Sequence, residues 1–232
     1  LQSGAAVVVF QPAGRHAWMS LGHAGFVGTV TAMNERHLAV GEMGGGGEGA
    51  WDGMPMSLLL RDVMERAATV AEAVKIIRET PRTCEYYYLL TDQARQMVAL
   101  HCTPEAVVAL APGEQHPRLP FVPDDTLILS AGDRAEAASR RLQAAYGEID
   151  AAALIELIKR PVAGGSNLHN AVFSPETLDM WFADAGRRTP ACDEPYVHCN
   201  LTELIAFYHR NQVDAGGGGA GAGPARSRPT GS

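Results

Sequence analysis

The run AGFVGTVTAMNERHLAV, residues 24–40, sets two apolar stretches rich in Val and Thr around the tetrad Asn34-Glu35-Arg36-His37. Such runs on either side of an Asn-containing turn predict a hairpin, with strands over 25–33 and 37–42. Upstream, AAVVVF (5–10) reads as a buried strand, QPAG as a turn, and RHAWMSLG (15–22) as a second, alternating strand. Downstream, the glycines of GGGGEG (44–49) hold no single conformation cheaply, so a loop is expected there.

The period then changes. In MSLLLRDVMERA the apolar residues Leu59, Leu60, Val63, Met64 and Ala67 recur at helical spacing. Thr69 and Glu72 form a capping box that opens a second helix, which Pro81 closes. CEYYYLLTD and RQMVALHC flank Asp92-Gln93-Ala94 as another hairpin, and AVVAL and DTLILS read as two further strands. Asp133 with Glu136 predicts a helix start, ended near Gly147; Asp150 caps AAALIELIKR, which stops at Pro161. NLHNAVF and TLDMWFAD make a hairpin over Ser174-Pro175-Glu176, and Asn200 with Glu203 caps a last helix to about Asn211.

Strands, a helix pair, strands, a helix pair, strands and a helix predict an α+β fold with mostly antiparallel sheets. Paired helices suit a four-layer αββα sandwich over residues 1–212, followed by a disordered Gly/Ala/Pro-rich tail over 213–232. The chain has 232 residues, 46% hydrophobic and 19% charged, with a net charge of −7. That charge argues against nucleic acid or an anionic membrane as partner. No 18-residue apolar run predicts a membrane-spanning helix. The spacing of Cys84, Cys102, Cys192 and Cys199 fits neither a zinc ribbon nor a disulfide framework, so reduced thiols in or near the core are expected. The glycine run lacks the Lys-Ser/Thr of a phosphate-binding loop. No cofactor and no metal are therefore expected. The chain opens on Leu1 rather than Met, with no signal-peptide pattern.

The order of these segments carries a resemblance. GFVGTVTAMNERHLAV, then GMPMSLLLRDVMERAATVAEAVKIIRETPRT, resembles the acyl-coenzyme A:isopenicillin N acyltransferase-like cysteine hydrolases, which are N-terminal-nucleophile (Ntn) enzymes. The matching positions include Arg61, Glu65, Ala67, Thr69, Glu72 and Ala73 in the helices, then Arg82, Thr83, Tyr88, Leu89, Leu90 and Asp92. NLHNAVFSPETLDMWFADA resembles the family's late strand pair, so the likeness spans about residues 7–209. It implies the αββα sandwich and hydrolysis or acyl transfer at a small amide or thioester. It also implies a cysteine that becomes residue one after self-cleavage, whose freed amine activates its own thiol.

No cysteine here stands at that position, so the nucleophile is expected upstream of Leu1 and the chain to be a fragment. Two partner readings stay open beside the small-molecule substrate: a second copy of the chain, or a separate N-terminal segment. The family's turn glycine is His37 here, and its oxyanion Asn is replaced by the run Ser130 to Asp133. The candidate catalytic residues are Ser130, Asp133, Asn34 and His169. Ser130 could donate to an oxyanion. Asp133 follows a strand at a helix start, where anions gather. Asn34, with Glu35, lines the expected pocket mouth. His169 stands between Asn167 and Asn170 at a strand start. Each also has a plain structural use: Asn34 in the turn, Asp133 as a cap, Ser130 and His169 at strand ends. Trp18, Trp51 and Trp181 are expected in the core or a pocket wall, and the glycine run as a lid. A non-catalytic binding or assembly module that keeps the fold is the competing reading.

Overall fold

The computed structural model describes residues 4–46, 49, 51–114, 122–130 and 132–216, without the side chains of 212–216. A seven-stranded antiparallel sheet runs in chain order. Its strands are β1 (Ala5–Phe10), β2 (Trp18–His23), β3 (Thr31–Asn34), β4 (Ala39–Gly44), β5 (Tyr86–Thr91), β6 (Met97–Cys102) and β7 (Val107–Leu110). A second antiparallel sheet has the order β10 (Val197–Asn200), β9 (Asp179–Asp184), β8 (His169–Ser174). Helices α1 (Met56–Arg66) and α2 (Val70–Glu79) follow β4; α3 (Gly132–Ala145) and α4 (Ala151–Ile158) precede β8; α5 (Leu201–Gly216) closes the described chain.

Alternation along the strands builds the layers, because successive side chains point to opposite faces. Trp18, Ala32, Val40, Tyr88, Leu90 and Leu100 face α1 and α2, meeting Leu59, Leu60, Val63, Met64, Ala73 and Ile77 in one core. Their neighbours in sequence, Met19, Leu21, Met33 and Ala39, face the other way and meet Leu178, Met180 and Leu201 in a second core between the sheets. The outer face of β8 turns Val172 toward α4. The architecture is the expected α+β, four-layer αββα sandwich.

Several local readings hold atom by atom. Thr69 accepts from Glu72 N at 3.2 Å while the Glu72 carboxylate accepts from Ala68 N at 2.7 Å. Asp150 accepts from Ala153 N at 2.8 Å and Asn200 from Glu203 N at 3.2 Å. Asp92 does more than turn a hairpin. Its Oδ1 holds the turn through Ala94 N and Gln96 N, and its Oδ2 accepts from Val70 N at 3.0 Å, tying the hairpin to the start of α2. Arg82 is buried and donates to the carbonyls of Ile77, Thr80, Thr103 and Pro104, joining the end of α2 to the end of β6.

Other readings are corrected. The stretch 25–30 is a loop and β3 begins only at Thr31, because Thr29 N bonds the Ser57 carbonyl of α1 rather than a neighbouring strand. The DTLILS stretch joins no ladder among the described residues. Strand β10 was not anticipated; it is too short and polar to announce itself. Helix α3 starts at Gly132, which puts Asp133 inside its first turn rather than at the cap. Trp51 is 83% exposed, so it is neither core nor pocket wall. The expected lid rests partly on residues 47, 48 and 50, and the expected tail on 217–232, which lie outside the described residues.

Asn34 is the pivot of the opening turn. Fully buried, it accepts from Arg36 N and Leu38 N at 3.0 and 3.1 Å and donates to the carbonyls of Met64 and Ala67, both at 2.8 Å. His37 takes the left-handed conformation, φ 66°, where the family's glycine would stand, and its Nδ1 lies 2.5 Å from the Pro175 carbonyl. Replacing Asn34 by Asp sets a carboxylate against two carbonyls in a dry site. Asn34→Asp is expected to cost about 3 kcal/mol, a fall in Tm of about 6–12 °C for a chain of this size; Thr69→Ala should cost about 1 kcal/mol. Comparing thermal melts of the two variants checks both figures.

Candidate active site

The strand residues that face the inter-sheet core turn polar at one end of it. His23 ends β2, Thr31 begins β3, His169 begins β8 and Asp184 ends β9. His169 and Asp184 are register partners across β8 and β9. His169 Nε2 lies 3.2 Å from Thr31 Oγ1, which joins the two sheets by a side-chain contact. His23 Nδ1 and Asp184 Oδ1 are buried without a hydrogen-bond partner. Most buried polar atoms in folded chains are satisfied, so two orphans in one cluster mark a functional candidate.

The charges follow from the same burial. Desolvation holds His169 below the usual imidazole range, opposed by Asp184 and assisted by His23. Desolvation also pushes Asp184 above the usual carboxylate range, opposed by both histidines. Near neutral pH the cluster therefore keeps His169 as a neutral base.

A cavity of about 380 Å³ lies beside this cluster, under α3 and α4. Its walls are mostly aliphatic: Leu127, Ile128, Leu129, Leu142, Leu154 and Leu157, with Leu89 of the large sheet. Ser130, Arg134, Asn167 and Asn170 bring polar groups to it. Asn170 Nδ2 is buried and unpartnered, whereas Asn167 is spent on the His169 carbonyl and on Cys192 N. The cavity lies between two lengths of chain. On one side is the outer edge of β8, which pairs only with β9; on the other is the run 127–130, which joins no ladder among the described residues.

The four sequence candidates thus part company. Ser130 and the strand of His169 border one cavity. Asn34 lies against α1, and its four hydrogen bonds leave no atom free for a substrate. Asp133 sits in the first turn of α3 and does not line the cavity. His23, Thr31 and Asp184 were not singled out from sequence. The signal for them was parity: each falls on the inter-sheet face of its strand but is polar. None of the four cysteines lies in the cluster or lines the cavity, and all are free thiols. Burial raises the thiols of Cys102 and Cys199 to about 11, far from thiolate at neutral pH. Among the described residues no group of three His, Cys, Asp or Glu could hold a metal ion, and no helix is long and apolar enough to cross a membrane.

Comparison with known proteins adds the family. Residues 2–114 match the acyl-coenzyme A:6-aminopenicillanic acid acyl-transferase family model. The chain superimposes on a conjugated bile acid hydrolase variant from Clostridium perfringens with TM-score 0.57 and 11% identity, over 81% of this chain and 78% of that one. A Caenorhabditis elegans N-acylethanolamine-hydrolyzing acid amidase ortholog gives TM-score 0.59 and 18% identity, over 76% and 82%. Penicillin V acylase from Agrobacterium tumefaciens gives 0.54 and 13%, over 86% and 76%. The chain shares the fold of these three hydrolases. At these identities the superpositions carry the fold, and the family model matches the first half of the chain alone. No curated protein matches the chain in sequence.

The depressed His169 fixes the sign of a pH effect. The unfolded chain binds this proton near 6.5 and the folded chain only at lower pH, so stability falls as pH drops below 6.5 toward the lowered value. Asp184 acts in the opposite sense and at lower pH: its raised value stabilises the fold in acid, and that contribution is lost as pH rises through it. Urea midpoints measured from pH 7.5 to 5.5 should therefore decline for the unaltered chain and decline less for His169→Gln. Parallel declines would remove His169 as the source.

Proposed function

We propose that this chain belongs to the Ntn hydrolases and serves a hydrolase or acyltransferase that acts on small amide or thioester bonds through a cysteine acyl-enzyme. The match of residues 2–114 to acyltransferases carries this reading. The nucleophile, on this reading, is a cysteine at the head of a strand laid against the free edge of β8, contributed from outside residues 1–232. A strand there, at the usual spacing of about 4.8 Å from β8, would fill the gap before the run 127–130 and run past His169 and Asn170.

The chemistry then needs little more from this chain. The thiol sulfur attacks the carbonyl carbon, and its proton passes to the free α-amine of the same cysteine. The carbonyl oxygen becomes an oxyanion. Asn170 Nδ2, a buried donor with nothing to bond, is suited to receive it, with the Ser130 hydroxyl opposite. Collapse expels the amine, which takes the proton back and leaves a thioester. Water or an acceptor amine then attacks that thioester and releases the thiol. His169, neutral by burial and held by Thr31, orients the polar end of the site. The aliphatic walls suit an acyl group.

The test is turnover of N-octanoyl amides by the chain expressed with its upstream reading frame attached. Activity is expected there and absent from residues 1–232 alone. Intact-mass spectra should carry one octanoyl adduct on an N-terminal cysteine, lost on Cys→Ala. Asn170→Ala should lower kcat by about 10²–10³ with an unchanged melt, the usual effect of losing one oxyanion donor. Turnover by residues 1–232 alone, or activity indifferent to iodoacetamide, contradicts the proposal. An extended chain that stays folded and inert favours the binding-module reading.

A further inference from the structure

Three of the described histidines lie against a carboxylate: His16 on Glu35, His101 on Glu85 and His198 on Asp179. Only one of these pairs faces the space between the sheets. His16 precedes β2, at the opposite end of that strand from His23. His198 is the register partner of Trp181, and its strand neighbour Cys199 packs into the inter-sheet core, so His198 and Trp181 face outward. His101 is the register partner of Tyr87, whose neighbour Tyr88 faces α1 and α2. Tyr87 and His101 therefore face the second sheet.

The register places this pair at the polar end. Thr31 is level with Gly41, Gly41 with Leu89, and Leu89 with Ala99. The next row outward holds Met43, Tyr87 and His101, and on β2 the same step beyond Leu21 leads to His23. The apolar residues that the second sheet covers come from β1 to β4. Leu89 of β5 instead lines the cavity between β8 and the run 127–130. Tyr87 and His101 thus lie one row outward from the floor of the gap assigned above to the cysteine strand.

The pair is built to hold an imidazole in one pose. Glu85 Oε1 accepts from His101 Nε2 at 2.7 Å and from the Tyr87 hydroxyl at 3.1 Å, while Oε2 accepts from Gly46 N at 2.8 Å. These bonds, Gly46 first, hold the Glu85 carboxyl below the usual carboxylate range. An ionised carboxylate only accepts, so Nε2 carries the proton of the neutral ring and Nδ1 keeps a lone pair. Nδ1 has no hydrogen-bond partner among the described residues. Tyr87 stacks on the ring with centroids 4.6 Å apart and planes 9° apart, which fixes its rotation. The His101 side chain is 39% exposed, so the ring is within reach of a ligand. A carboxylate that orients a histidine through one nitrogen and leaves the other free is the arrangement of a general base.

We propose that His101, oriented by Glu85, is the general base for the second half of the reaction and takes the proton of the water or amine that resolves the thioester. The proposal rests on the acyl-enzyme reading above and adds a base to it. The acceptor oxygen or nitrogen bonds to the thioester carbon as its proton passes to His101 Nδ1. The tetrahedral species then collapses, the carbon–sulfur bond breaks, and the departing thiolate takes the proton from His101. In the first half the cysteine's own amine holds the proton until the leaving amine takes it, so no histidine is needed there. Stacked sheets lie about 10 Å apart, which leaves room for an imidazole from one sheet and an acceptor poised at a thioester on the other.

The experiment is stopped-flow release of p-nitroaniline from N-octanoyl-p-nitroanilide by the chain with its upstream reading frame attached. His101→Gln is expected to keep a stoichiometric burst, to lower the steady rate that follows by about 10²-fold, and to let the octanoyl adduct accumulate in intact-mass spectra. His101→Gly should regain steady turnover when imidazole is added, and Glu85→Gln should slow the steady phase less than His101→Gln does. His198→Gln, which breaks the pair on the outer face, should change neither phase. An unchanged steady rate in His101→Gln overturns the proposal, and so does loss of the burst in a variant whose melt is unmoved. Should His101→Gln lower the melt, the imidazole arm decides, and no rescue of His101→Gly overturns the proposal. No burst and no adduct in the unaltered extended chain removes the acyl-enzyme reading and the role of His101 with it. A burst and turnover that the His101 variants leave unchanged remove only the role of His101.

Discussion

The molecule is organised by one constraint: its large sheet is apolar on both faces and cannot leave either in water. Trp18 and Met19, adjacent in sequence, are both fully buried, one under the α1–α2 layer and the other under the second sheet. Burying a side chain of that class contributes about 1.5–3 kcal/mol, so uncovering either face would outweigh the few kcal/mol by which a domain is stable. Everything else follows from supplying two covers. The helix pair α1–α2 covers one face, β8–β10 with α5 cover part of the other, and the polar end between the sheets is where the second cover stops.

The buried polar groups are sorted by the same logic. Some serve the layers. Asn34 ties the β3–β4 turn to the end of α1, Asp92 ties a hairpin to α2, and Arg82 ties α2 to β6. These are satisfied and therefore structural. Five side chains hold a buried atom with no partner among the described residues: Trp18 and Tyr196 singly, and His23, Asp184 and Asn170 on neighbouring strands of the two sheets. His23, Asp184 and Asn170 fall on β2, β9 and β8, around one end of the inter-sheet space and the cavity beside it. That concentration makes this end of the inter-sheet space the candidate site.

Much of this was legible from sequence because the informative features are local. The capping residues Thr69, Asp150 and Asn200 and the apolar period of α1 act within one turn of chain, and the structure repeats them. The paired helices indicated the layer order, and the motif order carried the resemblance. What was not legible depends on pairing. Residues 25–30 have strand composition, yet Thr29 finds a helix carbonyl instead of a strand. The DTLILS run has strand composition and no described neighbour. Asn34 looked like a site residue because it sits in a family motif, but its amide is used up by backbone 30 residues away. His169 was visible, while Thr31, His23 and Asp184 were not, because only sheet packing brings strand ends so far apart in sequence to one place.

The account's central claim is that acyl substrates are met at the His23–Thr31–His169–Asp184 end of the inter-sheet space. Imidazole nitrogen NMR on the chain, which has eight histidines, tests this directly. On addition of an N-octanoyl amide, the resonances of His169 and His23 should shift together, with those of His16 and His198 unmoved. Shifts confined to the latter two, or saturable binding that leaves His169 and His23 untouched, would contradict it.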